Sequence, residues 1–131
     1  MQPLIITATP NICWLKPEAV PYPRTVDEIV AEAKLCEQAG ATIFHIHAQG
    51  QWAEVVRALK DATNMVIQCG MSSLPIPDRM PGFTEHADMI SLIVSHHDEA
   101  FTGLDVHVLH PREELAEYMR LCSEYGVMPE L

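Results

Sequence analysis

The hydrophobic and polar positions of this chain follow two patterns that alternate along its length. Short apolar runs rich in branched residues are typical of strands buried in a parallel sheet. Between them lie longer segments whose apolar residues recur at helical spacing. This alternation predicts strands and helices in turn, with the right-handed crossover connections of a parallel sheet.

The pattern assigns each segment of the chain to an element. The predicted strands are 4–9, 41–46, 64–69, 87–94 and a last one that opens at 127. The predicted helices run from a cap at Thr25 through Ala39, over 51–63, and from Pro111 to Gly126. The proline-rich stretch 70–84 has no predicted structure, 98–103 is expected to be loop, and 104–109 is a short strand or an extended lead-in.

Local sequence signals predict the ends of the first helix and the inward-facing residues of all three predicted helices. Thr25 and Glu28 form a capping box, and Gly40 is placed as the glycine that follows the helix end. The residues expected to face inward are Ile29, Ala33, Leu35 and Cys36, then Val55, Val56 and Leu59, then Leu115, Tyr118, Met119 and Cys122.

This order of elements is found in TIM barrels and in doubly wound sheets. A complete TIM barrel needs about 250 residues, and this sequence has 131. The sequence therefore predicts a single partial α/β domain over residues 1–131, with parallel βα units forming about half of a TIM (β/α)8 barrel.

The strongest chemical signal is a His-x-His pair at the end of the second predicted strand, His45 and His47. Residues two apart on a strand share a face, so both imidazoles can reach one metal ion if a third ligand joins them. They follow an apolar run, which places them at the carboxyl end of the strand, where open α/β sheets and barrels hold their sites. Such a pair suits zinc, cobalt, nickel and copper alike.

Composition narrows the class of protein. The net charge is −10 with eight basic residues, which argues against nucleic acid and anionic membrane surfaces as partners. The four cysteines are scattered and form no CxxC pair, so reduced thiols in a cytoplasmic protein are expected. No signal peptide and no apolar run of membrane-spanning length is apparent in the sequence.

Several blocks of sequence resemble the β-keto acid cleavage enzyme family, whose named member is 3-keto-5-aminohexanoate cleavage enzyme. The most specific blocks are Pro23-Arg-Thr-Val-Asp-Glu-Ile and Gln38-Ala-Gly-Ala-Thr-Ile-Phe-His-Ile-His47. Weaker matches are the first strand from Pro3, Arg79, Ser91-Leu92 and Gly126-Val-Met-Pro-Glu-Leu131. After the histidines, Ala48-Gln49-Gly50 replaces the family's Arg-Asp and loop.

The resemblance implies a TIM barrel that binds a divalent metal, usually Zn²⁺, through His45, His47 and a glutamate from a late strand. It also implies a reaction of a small-molecule β-keto acid with acetyl-CoA as co-substrate, giving acetoacetate and a new acyl-CoA. The late strands that carry the family's Glu ligand, substrate-binding Arg and acid–base Asp are not in this sequence.

Further polar residues are weaker candidates. Ser72 and Ser73 could contact a substrate carboxylate, although serines in proline-rich loops are commonly turn formers. Glu130 could point toward the metal or simply face solvent. His96 and His97 end the fourth predicted strand and are expected to be exposed, whereas His107 and His110 are expected to be structural.

Two other functions stay open. Half a barrel exposes two strand edges and an apolar inner face, so the chain could act without catalysis, through a homo-oligomer or a second chain that completes the barrel. A metal-dependent hydrolase of the amidohydrolase type ranks lower, because its His-x-His usually lies on the first strand.

Overall fold

The computed structural model describes residues 3–11, 21–48, 50–72, 74–94, 97–98, 107–108 and 112–131. The strands are β1 (Thr7–Ala8), β2 (Ile43–Ile46), β3 (Val66–Cys69), β4 (Met89–Ser91), β5 (His97–Asp98), β6 (His107–Val108) and β7 (Met128–Glu130). The helices are α1 (Val26–Gln38), α2 (Trp52–Ala62), α3 (Ile76–Thr84) and α4 (Arg112–Tyr125). None of the helices in these ranges is long and apolar enough to cross a membrane.

Five strands form one sheet in the order β1-β2-β3-β4-β7, and every neighbouring pair is parallel. Helices alternate with these strands along the chain, so the predicted α/β class with parallel βα units is confirmed. The backbones of β5 and β6 pair separately as an antiparallel ribbon. Asp98, expected to begin a loop, therefore lies in a strand.

The helices cover one face of the sheet and share one core with it. Central strand residues such as Phe44, Ile67 and Ile90 are fully buried there. Ile29, Ala33, Val55, Val56, Leu59, Tyr118 and Cys122 are buried as predicted, and Cys36 and Leu115 pack partly against the core. Leu35 and Met119 were predicted to face inward but are exposed. Met119 lies at the margin of the apolar stripe of α4, whereas the helical repeat turns Leu35 away from the stripe of Ile29, Ala33 and Cys36 on α1.

The first strand is shorter and more exposed than its sequence predicts. Only Thr7 and Ala8 pair with β2, and Leu4 and Ile5 are 80% and 71% exposed. The apolar run predicted a strand buried on both faces, and that prediction is wrong. β1 is an edge strand of this sheet, so burial depends on which elements cover it and not on its own composition.

A helix occupies part of the proline-rich stretch that the sequence left unassigned. α3 begins after Pro75, and Pro77 lies in its first turn, where a missing N–H removes no helical hydrogen bond. Pro81 lies inside the helix. Arg79 and Phe83 are fully buried against the core, so tertiary packing holds a helix whose local sequence does not favour one.

The other side of the sheet, called the open face below, lies opposite the helices. Two rows of side chains cross it near the carboxyl ends of the strands. The strand register places His45, Gln68, Met89 and Met128 in the first row. The second row lies two residues further along each strand and holds His47, Gly70, Ser91 and Glu130. This face carries the candidate site.

Candidate functional site

His45 and His47 project from the carboxyl end of β2, with their ring centroids 4.9 Å apart and their planes 68° apart. Each side chain is partly buried, whereas the intervening Ile46 is fully buried on the helix side. The alternation of β2 therefore brings both imidazoles to the open face, as the spacing predicts.

Gly70, at the end of β3, leaves the space in which the two rings converge. A Cβ built on this glycine would lie 2.6 Å from Nε2 of His45 and 2.6 Å from Nε2 of His47. Real Cβ atoms do not approach other atoms so closely, so any larger residue would displace at least one ring. The two Nε2 atoms therefore meet over one point of the sheet, and glycine is required there for steric reasons.

Asn11, just beyond β1, holds the other side of His47. Its side-chain Oδ1 accepts the His47 main-chain N–H at 3.1 Å, and its Nδ2 donates to the His47 main-chain oxygen at 2.7 Å. The main-chain oxygen of Asn11 lies 3.1 Å from Nδ1 of the His47 ring. Asn11 is only 2% exposed, so this contact is part of the buried framework of the site.

Glu130 lies at the far end of the second row, and a hydrogen bond connects it to Gln68 of the first row. The buried amide of Gln68 donates a hydrogen bond from Nε2 to the Glu130 carboxylate. Gln68 is the register partner of His45, so one amide connects the strand of the histidines to the carboxylate on β7. Glu130 remains exposed, and its carboxylate therefore stands on the open face, three strands away from β2.

Comparison with known sequences decides what kind of protein presents this arrangement. The sequence profile of the beta-keto acid cleavage enzyme family (BKACE) matches residues 3–131. The chain belongs to this family. Its sheet of parallel βα units is accordingly part of a TIM-barrel fold, the architecture of β-keto acid cleavage enzymes. No curated protein gives a significant match.

In this family member, a buried arginine fixes the loop after β3. Arg79 donates from Nη2 to the Ser72 main-chain oxygen at 2.8 Å, and from Nε to the main-chain oxygen of Leu74. Its guanidinium lies 4.8 Å from the ring centroid of Tyr118. Ser72 is thereby placed just beyond Gly70, and Ser73 lies outside the described residues.

Tyr118 links this arginine to β4. Burial raises the pKa of its hydroxyl, which therefore stays protonated and donates to the Ser91 main-chain oxygen at 3.0 Å. Ser91 in turn accepts the Met71 N–H at 3.1 Å and donates to the Cys69 main-chain oxygen at 3.2 Å. These contacts hold the polypeptide that carries Gly70.

Four further histidines were candidates in the sequence: His96, His97, His107 and His110. His96 and His110 lie outside the described residues. The backbones of His97 and His107 lie in the β5–β6 ribbon. Cys69 faces the core, where burial raises the pKa of its thiol to about 12, so the thiol is protonated there.

The donors at the site fit part of a metal centre. Zinc takes neutral imidazole nitrogen ligands at about 2.0–2.1 Å and commonly three protein ligands in catalytic sites. The convergence of two Nε2 atoms over Gly70 supplies two such ligands on the open face of the sheet. Among the described ranges, no group of three or more His, Cys, Asp or Glu side chains could hold a metal ion.

Sequence reasoning missed three residues that shape this site: Asn11, Gln68 and the steric role of Gly70. Gln68 had a local signal, since it is the one polar residue inside the apolar run of β3. Asn11 follows Pro10 at the end of the first strand, and its partner lies 36 residues away, so no local pattern connects them.

Proposed function

We propose that the chain contributes the two-histidine part of a divalent-metal centre to a β-keto acid cleavage enzyme. His45 and His47 would bind the metal through Nε2. The observation that supports this is the convergence of both Nε2 atoms over Gly70. Zinc is the ion we favour, because imidazole nitrogen is one of its preferred ligands.

The proposed reaction converts a β-keto acid and acetyl-CoA to acetoacetate and a new acyl-CoA. A divalent metal, when bound, supplies a Lewis acid that polarises the keto oxygen of the substrate. His45 and His47 would bind the ion, and Gly70 leaves free the space into which both Nε2 atoms point. Ser72, Ser73 and Glu130 are proposed substrate contacts, Glu130 being held in place by Gln68.

The sheet described here has five strands, and its outer strands β1 and β7 leave their far edges unpaired in it. A closed TIM barrel has eight strands. We propose that further strands, from a longer chain, a second copy or a complementing half-barrel chain, close the barrel and supply the third metal ligand. The family resemblance points to a glutamate for that role.

Metal content and molar mass, measured together on protein purified without chelator or histidine tag, test this proposal. We expect about one zinc per assembled site, lost in both His45→Ala and His47→Ala. His86→Asn is the matched control, because the His86 ring contacts Tyr125 at the amino end of β4 and its backbone φ of 52° suits asparagine.

The same preparations should then be assayed with acetyl-CoA and β-keto acids that differ in charge and length. Formation of acetoacetate by the wild type and not by His45→Ala supports the proposed reaction. Wild-type protein that holds no metal under any loading condition, in its assembled form, would refute it.

A second candidate is a half-barrel that functions only by assembly, without catalysis. The open face favours it, since Val66 and Met128 are 36% and 61% exposed there. Apolar side chains on an uncovered sheet face are typical of association surfaces. Met128→Lys should then shift the molar mass measured by sedimentation to that of a single chain, whereas Leu35→Lys, on the outside of α1, should not. Assembly without metal or acetoacetate formation would favour this candidate.

A further inference from the structure

The side chain of Asn11 forms hydrogen bonds with both main-chain polar groups of His47, as the backbone of a neighbouring strand would. It accepts from the main-chain N–H of His47 and donates to the main-chain oxygen of the same residue, at 3.1 and 2.7 Å. Nδ2 also lies 3.4 Å from the Pro23 main-chain oxygen. An asparagine amide carries an NH2 group with two donor hydrogens beside one carbonyl acceptor, so it can satisfy both main-chain groups of a single residue.

This pairing begins where the regular ladder ends. β2 stops at Ile46, and β1 stops at Ala8, so neither strand fixes the backbone of His47 by sheet hydrogen bonds of its own. Asn11 extends the contact between the two strand ends by one more residue pair. The buried amide therefore determines where the His47 backbone lies, and with it the main-chain oxygen of Asn11 relative to the ring.

That oxygen decides which ring nitrogen carries the proton. A main-chain carbonyl can only accept, so at 3.1 Å it requires a hydrogen on Nδ1 of His47. In a neutral imidazole the lone pair is then on Nε2, the nitrogen that faces Gly70. The opposite tautomer would set a nitrogen lone pair against an oxygen lone pair. Neutral histidine in water favours the Nε2–H tautomer. The contact with the Asn11 oxygen therefore stabilises the tautomer that is less common in water.

We propose that Asn11 is a positioning residue that fixes His47 as its Nδ1–H tautomer and so presets Nε2 as a ligand nitrogen. The tautomer is a property of the chain alone. Its consequence for metal affinity rests on the proposed function above, because orienting contacts of this kind typically change metal affinity by about tenfold to a hundredfold.

Long-range ¹H–¹⁵N correlation spectra of the metal-free protein at alkaline pH test the tautomer directly. Comparison with His47→Gln assigns the His47 ring. We expect the wild-type ring as Nδ1–H, and a population moved toward Nε2–H in Asn11→Ala. Zinc affinity, measured by competition with a chromophoric chelator, should fall by about tenfold or more in the same variant.

Thr42→Ala is the matched control, because Thr42 also ties β2 to β1 through a side-chain hydrogen bond. Its Oγ1 donates to the Ile6 main-chain oxygen at 3.3 Å, at the far end of the same strand pair. A purely structural role of Asn11 predicts that both variants lose stability and that neither changes the His47 spectrum. Should Asn11→Ala fail to fold, Asn11→Asp keeps the acceptor for the His47 N–H, removes the donor, and is expected to show a smaller shift in the same direction.

Two results would overturn the assignment: a wild-type His47 ring in the Nε2–H form, or an Asn11 variant whose His47 spectrum matches that of Thr42→Ala. A protein that binds no metal, yet holds His47 as Nδ1–H in the wild type and releases it in Asn11→Ala, would refute the proposed function and uphold this inference. The two ideas therefore fail separately.

Discussion

Gly70 lies directly beside His45, so that a Cβ on the glycine would stand 2.6 Å from the Nε2 atom of the imidazole. Gly70→Ala should therefore displace His45, His47 or both. We predict a zinc affinity at least about tenfold weaker with the fold retained, measured by chelator competition and circular dichroism.

Gly82→Ala is the control for that change. Its added methyl would meet the side-chain ends of Ile90 and Met71, both at 3.0 Å, and Cβ of Cys69 at 3.9 Å, on the core side of the sheet and not against either histidine ring. We expect it to alter the free energy of unfolding and to leave zinc affinity unchanged. Equal zinc affinities in Gly70→Ala and the wild type would mean that the rings do not bind over this glycine.

Glu130 tests whether the open face contacts substrate. Its carboxylate is held by Gln68 and is not one of the two proposed metal ligands. We predict that Glu130→Gln lowers kcat/KM for β-keto acid cleavage by about tenfold or more and leaves the zinc content unchanged. Glu124→Gln, on the exposed surface of α4, should change neither quantity. Unaltered kinetics in Glu130→Gln would remove this residue from the site.

Arg79 should be a principal determinant of stability. The buried guanidinium serves the main-chain oxygens of Ser72 and Leu74, and Arg79→Met would leave both without this donor. An unsatisfied buried carbonyl costs about 1–3 kcal/mol, so we predict a free energy of unfolding lower by about 3 kcal/mol in urea titrations. Arg57→Met removes only a surface ion pair with Glu85 and should cost less than about 0.5 kcal/mol. Similar losses in the two variants would contradict this role.

The cap of α1 should make stability depend on acid pH. Hydrogen bonds from the main-chain N–H groups of Thr25 and Arg24 hold the pKa of Glu28 below its usual 4.5. Because the folded-state pKa is lowered, this contribution is complete above the usual carboxyl pKa and is lost as pH falls through the folded value. Glu28→Gln should flatten that acidic part of the stability curve, whereas Thr25→Ser should retain its slope. An unchanged curve in Glu28→Gln would show that the capping carboxylate does not titrate with folding.

The helix and strand pattern was readable from sequence wherever the determining interactions are local. Thr25 and Glu28 form the predicted capping box, and Gly40 and Gly126 end α1 and α4 with φ values of 99° and 68°. The stripe of Val55, Val56 and Leu59 on α2 is buried as its spacing requires. Such features depend on residues a few positions apart, and a single sequence contains them in full.

Errors occurred where a distant element decides the outcome. The sequence does not predict α3, because three prolines lie in or next to it. Arg79 and Phe83 stabilise this helix by packing against elements that are distant in the chain. The first strand was predicted to be buried on both faces, yet its cover depends on its position at the edge of the sheet.

For the site itself, the sequence alone determined that His45 and His47 share one face at the end of a strand, since alternation along a strand is a local property. Only the tertiary structure decided what surrounds them. Gly70 and Gln68, from β3 and its end, and Asn11, from beyond β1, reach the histidines from two other segments, through the register of parallel strands. That register is set by packing between elements far apart in the chain, and no local pattern encodes it.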